Sequence, residues 1–389
     1  MKPKLWQISY IVGISIVLSL FGLKAIGLHF AEDVVAWIEL AGGVLLIAGS
    51  CEAFVLSVEG ISHNMNMTDY VSGIYASLAS LIPELCVIIF LLLDGDFEMA
   101  WVLALATIFM NSLVFAIYTL VLPKDKDGNF KLPDAIMWVG SDLLSMGAMI
   151  SISVGLSMFM VFVFSLENPF LPRYLDAREL FVFGGALLGV FVAYLYWITK
   201  YYGKCDPEAE DPHMSCEIRH ETLSMQKLGI YLFFASLGAL LGGEALSGFA
   251  NFATETLHLS FIHAALLLVI FGGTPEYIIV ASSHRKQELE IALSNAFGGI
   301  VQVFFVIFGF TLIFAGIIST NLGIMDVIPI DLFSVLLVFF AFPSMFILRI
   351  MIADDQKVNA LESVAMIAVF IMMLYILLAY GVYPLVPPS

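Results

Sequence analysis

Charge is what this chain has least of. Only 13% of its 389 residues are Asp, Glu, Lys or Arg, about half the share found in a soluble globular domain. A water-exposed surface over most of the chain is thereby excluded. Basic residues are scarcer still, 16 against 33 acidic ones, for a net charge of −17. So few cations cannot hold a polyanion, and no nucleic-acid partner is expected. The four cysteines are too few and too scattered for a disulfide framework. Cys51 and Cys86 lie in apolar stretches and read as small hydrophobes. Those stretches contain neither a His/Asp/Glu metal triad nor a nucleophile beside a base, so neither an enzyme nor a bound cofactor is expected.

What is present is apolar length. The chain is 61% hydrophobic, with a mean hydropathy of +0.98, and apolar runs of roughly 20 residues or more recur throughout, long enough to cross a bilayer. The expected spans are 6–26, 34–59, 71–93, 99–122, 134–165, 178–201, 227–254, 260–282, 289–318, 329–350 and 358–384. This describes an all-α polytopic membrane protein of about eleven transmembrane helices, with lipid as its surroundings. Trp6–Ile26 is too long for the apolar core of a cleavable leader and reads as a helix that stays. With the N-terminus on the cytoplasmic side, thirteen of the 16 Lys and Arg fall on that side, as the positive-inside rule requires. The C-terminus then lies outside. Compact loops point to a prokaryotic cell membrane. The longest polar loop, 202–226, is acidic. It also carries Cys205, His213, Cys216 and His220, a candidate zinc set whose spacing matches no common finger.

Proline beside glutamate occurs deep in two of these runs, at Pro83-Glu84 and Pro275-Glu276. An acid at membrane depth costs about 2.5–3.5 kcal/mol on insertion scales and marks a functional site by default. Glu276 lies 192 residues after Glu84, and Glu244 lies 192 after Glu52. Five spans separate the members of each pair. Five is odd, so the two sets must run in opposite directions, as in the inverted repeats of secondary transporters. The expected organisation is a helix at 1–30, a first repeat at 31–201, the loop at 202–226 and a second repeat at 227–389.

Ser77, Ser80 and Glu84 share one helix face, and Pro83, lacking an N–H, leaves the Ala79 carbonyl without its helical donor. Thr107 and Asn111 follow at i and i+4 on the next span. In the second half, Gly272-Gly273-Thr274-Pro275 precedes Glu276, and Ser294, Gly298 and Gln302 form a face on the next span. Gln302 is the expected counterpart of Asn111, shifted by one position. Carboxylates, hydroxyls, amides and bare carbonyls are the hard oxygen donors that Ca²⁺ takes. The expected metal ligands are therefore Glu84, Glu276, Asn111, Gln302, Ser80 and Thr107. Glu52 and Glu244, read as lying toward the cytoplasmic third of their spans, are candidates for an access path or for helix–helix bonding. The aromatic residues, 13% of the chain, read mostly as lipid-facing or interfacial.

These segments resemble the calcium/cation antiporter superfamily. Ala79-Ser80-Leu81-Ile82-Pro83-Glu84-Leu85 is similar to its first repeat motif, Gly-Thr-Ser-Leu-Pro-Glu-Leu, and Phe271-Gly-Gly-Thr-Pro-Glu276 to the second. Asn111, 27 residues after Glu84, falls where sodium/calcium exchangers carry an intramembrane Asn. Gly299-Ile-Val-Gln302 and the extra first span are similar to the proton/calcium branch, which has Asn where this chain has Leu81 and Gly273. The resemblance implies a cation antiporter. Two deep carboxylates can hold one Ca²⁺ or two protons, which favours Ca²⁺/H⁺ exchange over Na⁺/Ca²⁺ exchange. A cation channel is the alternative from another class.

Overall fold

A chain in lipid must satisfy every backbone group internally, which helices do within one segment. The structure, a computed structural model, follows that rule. It describes residues 5–26, 31–132, 140–168, 170–203, 223–285, 287, 289–354 and 356–380. Among these, eleven stretches are long and apolar enough to cross a membrane. They begin with α1 (Leu5–Ala25), α2 (Glu32–Asn64), a third span broken into α3 (Asp69–Ser80) and α4 (Ile82–Leu93), and α5 (Phe97–Val121). α6 (Ser141–Glu167), α7 (Ala177–Tyr202) and α8 (Met225–Glu255) come next. An eighth span is broken into α9 (Phe261–Gly272) and α10 (Thr274–Arg285). The ninth runs through α11 (Leu289–Gln302), a π-helical stretch at Val303–Phe308, and α12 (Gly309–Leu322). α13 (Leu332–Asp354) and α14 (Ala360–Tyr380) complete the set. Two short antiparallel ribbons were not foreseen: β1 (Asn129–Lys131) with β4 (Lys357–Asn359), and β2 (Tyr174–Leu175) with β3 (Ile328–Pro329).

The helices form two compact units that do not coincide with the sequence halves. The first comprises 1–91, 190–259 and 270–295, and the second 92–189, 260–269 and 296–389. Each draws on both halves of the chain.

The first unit is organised by α1, α2 and α8. α2 and α8 run antiparallel: Gly60 meets Leu228 at one end of their contact, and Gly43 meets Ala245 and Leu246 near the other. The contact needs glycine. A Cβ on Gly43 would lie 3.2 Å from the Gly242 carbonyl, and one on Gly242 would lie 3.2 Å from the Gly43 carbonyl. Small residues let membrane helices approach this closely and gain packing contact that lipid cannot replace. α1 closes over the pair. Its Tyr10 hydroxyl donates to the Phe234 carbonyl at 2.7 Å, while the Tyr10 backbone packs against Gly49 of α2.

The second unit is built on α5, which is buried over most of its length. The ninth span crosses it antiparallel, with Phe115 against Phe297 and Trp101 against Phe308. α6 packs on α13, where a Cβ on Gly155 would meet the Phe339 backbone at 3.2 Å. The β1–β4 ribbon leads into α14 through a reciprocal cap. There the Asn359 N–H donates to Glu362 Oε2 and the Glu362 N–H to Asn359 Oδ1, each at 2.9 Å. Some rings serve the interior as well. Trp101, Phe109, Phe115, Phe249, Phe304, Phe305 and Phe370 are fully buried. Large apolar rings fill the space between helices as readily as they face lipid.

Candidate cation site

Both broken spans fall in the sequence where a helix cannot continue cleanly. In the third, α3 ends at Ser80 and α4 begins at Ile82, so Pro83 sits in the first turn of a new helix, where its missing N–H costs least. The Leu81 N–H turns back to the Leu78 and Ala79 carbonyls, so the Ala79 carbonyl is not left bare as expected. The Ser80 carbonyl instead takes a donor from another helix, the Cys51 thiol of α2 at 3.7 Å. In the eighth span the break is at Gly273. The Thr274 hydroxyl there donates to the Ile270 carbonyl at 3.1 Å, and the Tyr277 N–H to the Gly273 carbonyl at 3.3 Å.

These breaks place Glu84 and Glu276 in the first turns of α4 and α10, within the same compact unit. Carboxylates at helix N-termini are favoured by the oriented N–H groups. Glu84 is 7% exposed, and Glu276 is half-buried. Both lie within electrostatic reach of one group, the Tyr277 hydroxyl. The Cys51 thiol feels both Glu276 and Glu52, which ties α2 into the same neighbourhood. Ile279 of α10 packs on Cys51 and Val55 of α2 and on Ala76 of α3. α8 presses on α4 just past the acid: a Cβ on Gly243 would lie 2.9 Å from the Cys86 carbonyl carbon.

Ser80 is buried, and its hydroxyl donates to the Ser77 carbonyl at 2.6 Å. That bond uses the proton and leaves the oxygen lone pairs available to a cation. Glu52 is half-buried and Glu244 exposed. The two do not lie at the same depth. The helices are antiparallel, so Glu244 lies beside the Gly43–Gly242 contact, while Glu52 lies about two and a half turns further along α2, toward Gly60.

The other expected ligands belong to the second unit. Thr107, Asn111 and Gln302 are all buried. The Thr107 hydroxyl donates to the Leu103 carbonyl at 3.0 Å. Asn111 Nδ2 donates to the Gly299 carbonyl at 3.2 Å, joining α5 to α11 three residues before Gln302, on Gln302's face. In an unbroken α-helix that carbonyl would accept from Val303, the first π-helical residue. Asn111 therefore supplies a donor where the helical ladder changes, and such π segments recur at functional sites. Cys205, His213, Cys216 and His220 lie outside the described residues.

A family model for the sodium/calcium exchanger protein matches residues 35–200 and 227–379. The chain belongs to the sodium/calcium exchanger family. It is thus a cation exchanger of the calcium/cation antiporter superfamily. Solved members share the fold at low identity. The H⁺/Ca²⁺ exchanger CAX superposes with a TM-score of 0.69 at 15% identity, over 97% of this chain and 92% of its own. YfkE gives 0.61 at 16%, over 94% and 99%. The sodium-calcium exchanger NCX_Mj gives 0.54 at 14%, over 88% and 98%. No match is found among the curated proteins. Two residues within electrostatic reach of the glutamates escaped the sequence reading. Cys51 stood as packing because a lone thiol carries no signal. Tyr277 was given no reading of its own, although its position directly after Glu276 at a helix break was the available cue.

Proposed function

We propose that this family member moves Ca²⁺, or a similar divalent cation, out of a prokaryotic cell in exchange for H⁺, with its N-terminus cytoplasmic and its C-terminus outside. The observation that carries the reading is that Glu84 and Glu276 both stand in the first turn after a helix break, within one compact unit. Two carboxylates neutralise one divalent ion, and the same pair neutralises itself by taking two protons. Exchange is then electroneutral. Two adjacent like charges resist being ionised together, so release of the metal favours proton uptake. Ser80, in the same unit, acts as a neutral oxygen donor to that ion, while Asn111, Gln302 and Thr107 are donors expected from the sequence pattern. Glu52, midway along the α2–α8 contact, and Glu244, at its Gly43 end, serve access at two different depths. The halves are read as inverted repeats.

Na⁺/Ca²⁺ exchange is the rival within the family, supported by the Ser80-to-Glu84 motif and by the NCX_Mj fold. Radioactive Ca²⁺ flux into vesicles carrying the purified protein separates them. A proton gradient without Na⁺ should drive uptake. Uptake that appears only with a Na⁺ gradient at equal pH would overturn proton coupling.

A further inference from the structure

The Tyr277 hydroxyl is a buried polar group that the exchange reading leaves without a role. Its oxygen is closed to solvent and has no hydrogen-bond partner. A polar atom in that condition is uncommon and costly, and a native structure keeps one for a reason. The ring is held firmly, because Tyr277 lies in the first turn of α10, its N–H is bonded to Gly273, and α10 packs on α2 through Ile279. The backbone therefore fixes where the side chain starts. Both Glu84 and Glu276 lie within its electrostatic reach.

Resting on the assignment of Glu84 and Glu276 as cation ligands, we infer that the Tyr277 oxygen is a further neutral donor to the ion they hold, and so a specificity-determining residue of the site. A phenol offers lone pairs to a hard cation and one proton to a carboxylate. It can thus serve the bound metal, or the acids that the metal leaves, without altering the balance of two negative charges against a divalent ion. Ca²⁺ takes six to eight oxygens in a flexible shell, whereas smaller ions accept fewer. A neutral oxygen on a rigid ring should therefore matter more for Ca²⁺ than for Mn²⁺.

The test is Tyr277→Phe in the full-length protein, which removes one oxygen and keeps the ring. Ca²⁺ and Mn²⁺ binding is read by cation-dependent thermal stabilisation in detergent, beside wild type and Glu276→Gln. The expected result is unchanged or higher stability without added cation, a Ca²⁺ affinity reduced about tenfold, and a smaller loss for Mn²⁺. Wild-type Ca²⁺ affinity in Tyr277→Phe, with binding lost in Glu276→Gln, overturns this inference and leaves the exchange reading standing. Undiminished binding in Glu276→Gln overturns both. A Tyr277→Phe protein that fails to fold also overturns the inference, because an unpartnered hydroxyl cannot be what holds the fold.

Discussion

The fourth and ninth spans present the same faces through different backbones. Residues 101–120 and 301–320 share one burial pattern at every position, 200 residues apart. Yet α5 is an unbroken α-helix, while its counterpart passes through a π stretch at Val303–Phe308. The two glutamates at the breaks are 192 residues apart, so two registers coexist. Burial pairs Asn111 with Thr311 and Gln302 with Val102. Distance from the glutamates brings Gln302 within one position of Asn111. The comparison teaches that packing and chemistry can be aligned separately. Packing needs only an apolar face in the right direction, whereas a site needs a particular oxygen at a particular depth, and a π turn changes the angular relation between the two.

The deepest cut would come from the acids that define the first register. Glu84→Gln and Glu276→Gln should each lower proton-driven Ca²⁺ uptake about a hundredfold, the scale of losing a charged ligand. Near-normal uptake in both would remove the site from that register. Next is the π stretch itself. Deleting one residue between Val303 and Phe308 should restore an α ladder, in which the Gly299 carbonyl accepts a helical N–H in place of Asn111. Uptake should fall to background while the protein still purifies as a folded species. Retained uptake would show that the π turn carries no function. A finer comparison sets Gln302→Ala against Thr311→Ala. The Thr311 hydroxyl already donates to the Ile307 carbonyl at 2.7 Å, so its loss should raise the KM for Ca²⁺ by no more than about twofold. Loss of Gln302 should raise it about tenfold. The reverse order would mean that burial, not distance from the glutamates, sets the site.

The smallest effect lies where the two spans end. α12 closes on Gly323 in the left-handed region, with φ of 71°. α5 is instead tied beyond its last turn by Lys124, whose Nζ donates to the Thr119 and Val358 carbonyls at 2.8 and 3.1 Å. Burial pushes the Lys124 ammonium below its ordinary value of 10.5, and Glu362 only partly opposes this. The folded state therefore binds fewer protons than the unfolded one just below 10.5, and stability should rise with pH through that window. Thermal unfolding in detergent should show this slight rise in wild type and lose it in Lys124→Gln. An identical pH profile in the two proteins would discount the tether.

Much of the fold was legible because bilayer thickness dictates apolar length, and because Pro83 and the Gly272-Gly273 pair break their helices visibly. The π stretch was not. Val-Phe-Phe-Val-Ile-Phe suits either ladder, and the change registers only where Asn111 reaches Gly299. The ribbons were hidden because strands of two or three residues pair across more than 150 positions of sequence. Glu52 and Glu244 were read as lying on one side because their surroundings look alike, although opposed helix directions must separate them. Glu84 and Glu276 were legible from the cost of burying acids in lipid. Tyr277 was not, because an aromatic residue in a membrane helix ordinarily needs no special reason to be there.

One feature of the first unit sets the two halves apart. α1 has no partner in the proposed repeat, yet its Tyr10 spans helices from both halves, seated on Gly49 of α2 and bonded to Phe234 of α8. It acts as a clasp. Parting α2 from α8 would surrender that bond, about 1 kcal/mol, so a chain of near-symmetric halves carries one contact that neither half supplies alone.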